Sequence, residues 1–148
     1  MIQIVKDSDT RPWFFLQTAH TTYGIRVMET GHLEHLYYGE RITVDAQDSA
    51  SCAPLVIQRA FAPGNTCTYD KEHPQISMED ICLEVGTLGK GDIREPFWEV
   101  RFADGSVTSD FTFDSYKVIT LKEREQCLQD SGLPHSYSEA ETDSAECL

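Results

Sequence analysis

Thr22-Tyr23-Gly24-Ile25-Arg26-Val27-Met28-Glu29-Thr30-Gly31-His32-Leu33-Glu34-His35-Leu36-Tyr37-Tyr38-Gly39 decides how this sequence folds. Tyr23, Ile25 and Val27 alternate with Gly24, Arg26 and Met28. A period of two sends one set to each face of a strand. Thr30-Gly31 reads as a tight turn, 33–38 as the return strand of a hairpin, and Gly39 as its end. Just upstream, 12–18 is rich in aromatic and branched residues and reads as a neighbouring strand.

Working outward, a second hairpin is expected later in the chain. Residues 97–102 and 107–113 flank Ala103-Asp104-Gly105-Ser106. Asp-Gly between two runs is a strong hairpin signal, because glycine accepts the positive φ of the turn. Phe111 and Phe113 would share one face, and 116–121 would add a further strand. The long stretch 46–91 reads as irregular, with turn chemistry at Ala62-Pro63-Gly64-Asn65 and one short helical turn started by Ser77 before Met78-Glu79-Asp80. No segment carries a strong amphipathic helix period. The expected fold class is all-β: an antiparallel β-sandwich with long loops and little helix.

Composition narrows the function classes. The 148 residues suit one domain, and 40% apolar with 25% charged residues is globular composition. No apolar run approaches membrane-spanning length, and residues 1–7 lack a basic stretch followed by a long apolar one, so no membrane or secretory segment is expected. A formal charge of -13 repels phosphate, which argues against nucleic acid and anionic membranes as partners. The five cysteines, Cys52, Cys67, Cys82, Cys127 and Cys147, are odd in number and contain no Cys-x-x-Cys pair. That favours free thiols in a reducing cytoplasm over a disulfide framework or a zinc site.

Sites of chemistry are scarce. His32 and His35 are three apart in a strand-like run, which aims them at opposite faces and disfavours a shared metal. The 25 Asp and Glu residues offer many pairs, and none stands out as the acid and nucleophile that break a glycosidic bond. Gly89-Lys90-Gly91 lacks the rest of a phosphate loop and reads as a loop glycine pair. Of the aromatic residues that could stack on a sugar, Trp13 and Trp98 read as core, one of Tyr37 and Tyr38 as exposed, and Tyr69 as the least constrained.

Several segments, in order along nearly the whole chain, resemble the N-terminal domain of glycoside hydrolase family 36, the bacterial α-galactosidases. They are Thr21-Thr22-Tyr23, Gly31 through Gly39, Gln58-Arg59-Ala60-Phe61-Ala62-Pro63-Gly64-Asn65, Gly89-Lys90-Gly91-Asp92-Ile93-Arg94-Glu95-Pro96, Asp104-Gly105-Ser106, and Gly132-Leu133-Pro134 with Tyr137 and Glu139. The resemblance implies that 1–148 is a single β domain, the first part of a larger supersandwich. A catalytic (β/α) barrel, absent from these residues, would follow with both catalytic aspartates. It implies a parent enzyme that hydrolyses terminal α-galactosides of the melibiose or raffinose type with retention. It also implies a homo-oligomer, tetrameric in many members, in which a loop of this domain reaches a neighbour's active site. No cofactor and no metal are implied. The matching loop holds Gln58 and Arg59, the candidate substrate-binding residues. Many relatives have an aspartate at the position of Gln58. An amide still pairs with a hydroxyl, yet lacks the charge assistance that makes a hydrogen bond roughly twice as strong. Asp92 and Arg94 read as structural. The rival readings are a stand-alone galactoside-binding module and a purely structural oligomerisation domain.

Overall fold

The computed structural model describes residues 1–7, 11–56, 68–89, 91–92, 96–119 and 123. Four strands run β1 (Ile2–Lys6), β2 (Pro12–Gln17), β3 (Thr21–Val27) and β4 (Leu33–Glu40), and they form one antiparallel sheet in that order. The β3–β4 hairpin is the one that the alternation predicts. Its turn needs Gly31, whose φ of 82° lies in the left-handed region. β1 was not anticipated; it pairs along β2 from Ile2↔Leu16 to Lys6↔Pro12. β5 (Thr87–Leu88) and β6 (Gly91–Asp92) add a short parallel pair.

The register sorts the side chains. Val5, Trp13, Arg26 and Glu34 lie across from one another on one face, and Ile4, Phe14, Ile25 and His35 on the other. On the first face Val5, Trp13, Phe15, Leu36, Val44 and Cys52 form the core, with Ile42, Leu55 and Val56 packed on it. A register shift between Gly24 and Ile25 leaves Leu36 without a cross-strand partner. This bulge lets both Leu36 and Tyr37 join the same core. Gly24 is needed where the Phe15 ring crosses it, because a Cβ there would meet Phe15 Cε1 at 3.0 Å. The cover over this core is the chain after β4. It includes a 3₁₀ helix, Ser49–Leu55, started by Asp48, whose carboxylate accepts from the Ala50 N–H at 3.0 Å.

The fold class is the expected one, an all-β antiparallel sandwich type with long loops and, among the described residues, little helix. Two local expectations fail. The Asp104-Gly105 turn forms, with Gly105 at φ 87° and the Phe102 N–H donating to the Ser106 carbonyl at 2.9 Å. Its arms, 97–102 and 107–113, form no ladder. The second arm is drawn to the main sheet instead: Phe113 donates its N–H to the Gly31 carbonyl at 2.7 Å, and its ring lies 6.0 Å from Phe14. Of the expected strand 116–121, residues 116–118 are outside any strand, Ile119 is an isolated bridge residue and 120–121 lie outside the described residues; Tyr116 sets its ring edge-on to Phe14 at 5.1 Å. The helical turn after Ser77 exists as Met78–Asp80, but the serine side chain makes no capping bond.

Candidate functional site

The β3–β4 hairpin also organises the polar chemistry. His32 stands at the end of the turn, 2% exposed. Its Nε2 lies 2.7 Å from Asp110 Oδ1 and its Nδ1 2.9 Å from Thr30 Oγ1. A carboxylate only accepts, so Nε2 carries the hydrogen and Nδ1 can accept from the threonine hydroxyl. The Tyr69 hydroxyl donates to the other oxygen of Asp110 at 2.9 Å, and its ring meets His32 edge-on at 5.0 Å. Burial, with the hydrogen bond to Asp110, pushes the Tyr69 phenol up to about 12.

A second cluster repeats this pattern one turn of sequence later. His35 Nδ1 lies 2.9 Å from Glu84 Oε1, and the Tyr23 hydroxyl donates to Glu84 Oε2. The rings of Tyr23 and His35 are 5.2 Å apart. The Tyr23 phenol is likewise pushed up to about 12, first by burial and then by its bond to Glu84. On the opposite face Arg26 donates to Glu34 at 2.6 Å and lies over the Trp13 ring at 5.2 Å.

These groups bind one another. A general acid needs a carboxyl pKa held up. The two displaced carboxyls among the described residues both go down. At Asp104 the Ser106 N–H and hydroxyl lower it. At Asp70 burial raises it, and hydrogen bonds from the backbone and ring of His73 more than reverse that. No group of three or more His, Cys, Asp or Glu among the described residues is placed to hold a metal ion.

Two clefts stand beside the sheet. One, about 300 Å³, is lined by Asp7, Arg11, Arg26, Glu29 and neighbouring apolar groups. The other, about 480 Å³, is walled by Phe14, Ile25, Leu33, Phe113, Tyr116 and Ile119. The second has the size of a ligand pocket, but its walls are almost wholly apolar, which suits a packing partner better than a sugar.

The sequence-derived candidates Gln58 and Arg59 lie outside the described residues, as does Arg94. Trp13 is buried as expected, whereas Trp98 is 54% exposed and bridges to Thr87, which corrects its reading as core. Tyr69 is held by Asp110 rather than loosely placed. Tyr38 is the exposed member of its pair, at 71%. Sequence reasoning missed Asp110 and Glu84, which lie 78 and 49 residues from their histidines. No local pattern links positions so far apart.

The family model described as the glycosyl hydrolase family 36 N-terminal domain matches residues 31–148. The bifunctional alpha-galactosidase/sucrose kinase AgaSK of Mediterraneibacter gnavus is 32% identical over 127 residues, covering 85% of this chain and 12% of that protein. Alpha-galactosidase AgaA of Geobacillus stearothermophilus is 26% identical over 128 residues, covering 86% of this chain and 16% of that protein. Among solved structures, the alpha-galactosidase from Lactobacillus brevis superposes with a TM-score of 0.63 at 33% identity, covering 78% of this chain and 14% of that one. The chain thus spans less than a fifth of the length of these relatives.

Proposed function

The chain belongs to the glycosyl hydrolase family 36 N-terminal domain family, and from that premise we propose that it is the non-catalytic front domain of a retaining α-galactosidase. The parent enzyme hydrolyses terminal α-galactosides of the melibiose or raffinose type. Its two catalytic aspartates sit on a (β/α) barrel outside residues 1–148, and this domain supports the barrel, narrows the pocket and joins subunits of a homo-oligomer. The enzyme works in the cytoplasm, a compartment that suits the free thiols of Cys52 and Cys82.

One observation carries the reading beside the family match over 31–148: the second face of the main sheet is only partly covered. Ile2, Ile4, Leu16, Ile25 and Leu33 are half-buried there, beside the apolar cleft. A face of that kind fits a domain that completes its core with further chain. The test is turnover. The purified 148-residue chain is expected to release no p-nitrophenol from p-nitrophenyl α-galactoside, and the gene's full product is expected to release it. Activity that copurifies with the short chain overturns the assignment of a silent domain.

The pocket role rests on Gln58 and Arg59. Gln58→Ala in the full-length enzyme is expected to raise KM for melibiose, with little change in kcat. An unchanged KM removes that loop from the pocket and favours a purely structural oligomerisation domain. A second reading, a galactoside-binding module, draws on the exposed rings of Trp98 and Phe97, since aromatic faces stack on pyranose rings. Saturable heat on titrating the chain with galactose, raffinose and melibiose separates the two: the module binds, and the supporting domain does not.

A further inference from the structure

We propose that His32 and His35 are a pair of positioning residues, each docking outlying chain to the β3–β4 hairpin through one shared carboxylate and one tyrosine: Asp110 with Tyr69 for His32, and Glu84 with Tyr23 for His35. This inference does not depend on the enzyme reading of the previous subsection.

The two clusters share a bonding pattern, through Nε2 of His32 and Nδ1 of His35. In each cluster one carboxylate oxygen faces an imidazole nitrogen, the other accepts from a phenol, and phenol and imidazole rings touch. What differs is the segment that each cluster holds. The Glu84 clamp lies on the outer edge of β4, where the His35 N–H donates to the Cys82 carbonyl at 2.7 Å and the Glu84 N–H to the Leu33 carbonyl at 2.9 Å. The Asp110 clamp lies at the hairpin turn and gathers two segments. Tyr69 comes from one, and Asp110 from the other, which is pinned on both sides of Asp110. On one side the Thr87 hydroxyl donates to the Ser109 carbonyl, and on the other the Phe113 N–H donates to the Gly31 carbonyl.

The short His-Leu-Glu-His interval is therefore a spacing of docking posts, one at the turn and one inside the strand. Each post is specific because a carboxylate left in a half-buried site without its donors loses hydrogen bonds of the strong, charge-assisted kind. The Asp110 clamp has a further consequence. Phe113, three residues on, packs against Phe14 and walls the apolar cleft, so the clamp also sets how open that cleft is.

Amide exchange read residue by residue on the full 148-residue chain tests the pair. Asp110→Asn is expected to speed exchange of the Phe113 and Tyr69 amides about tenfold and to leave His35 and Glu84 within about twofold. Glu84→Gln is expected to do the reverse. Tyr69→Phe removes a single hydroxyl and reads the same amides if Asp110→Asn does not fold. Acceleration of both sets together by either variant, or of neither set by both, overturns the proposal of two independent clamps.

Discussion

Phe15 is fully buried, and its ring crosses Gly24 on the facing strand. Phe15→Ala removes the largest fully buried side chain of the sheet core and is expected to cost about 3–5 kcal/mol of stability, measured by urea unfolding. Gly24→Ala is a different kind of damage. The new methyl meets a packed ring at 3.0 Å rather than a flexible side-chain end, so a loss of about 1–3 kcal/mol is expected. Gly39→Ala is expected to be milder, because its nearest neighbour is the Tyr37 hydroxyl, the far end of a side chain that can turn away. Thermal melts of the two glycine variants give this order, and the reverse order refutes the role given to the Phe15 ring. At this scale Trp13 was legible in the sequence and Trp98 was not. Both sit among apolar neighbours, yet only Trp13 lies in a strand whose face the rest of the chain covers.

Among the elements, the β3–β4 hairpin carries the polar clusters, and its chemistry has a pH signature. Tyr23 and Tyr69 are both raised to about 12. A phenol whose folded value lies above its unfolded value of 10.0 holds its proton longer in the native state. The native state then binds more protons than the unfolded chain at alkaline pH, and stability falls as pH rises. The contribution is fully present below about pH 10 and lost as pH passes through about 12. Absorbance of phenolate is expected to show Tyr23 and Tyr69 titrating late. Tyr23→Phe and Tyr69→Phe should each remove one of them, and an unchanged late phase in either variant counts against the assignment. The hairpin itself was legible because alternation and a glycine turn are local signals. The later hairpin was misread because its turn is also local and did form, whereas its second arm found better partners in Phe14 and Gly31.

For the whole molecule, the sheet presents one sealed face and one partly open face. Tyr38 and Tyr116 are exposed, at 71% and 40%, on the face that holds half-buried Ile2, Ile4 and Leu16. If this face is completed by further chain, as proposed, the 148-residue chain alone is expected to self-associate as its concentration rises. Light scattering checks this, and a monodisperse monomer at high concentration contradicts it. The sequence by itself determined the all-β class, the register-setting hairpin and the family, because period-two alternation, turn glycines and ordered motifs are written in neighbouring residues. Only the tertiary structure decided which carboxylate each histidine of the His-Leu-Glu-His interval takes, and that 107–113 leaves its own hairpin for the main sheet. Those choices join residues 49 to 82 positions apart. They are set by which surfaces remain to be buried once the sheet has formed, and near-neighbour preferences do not encode that.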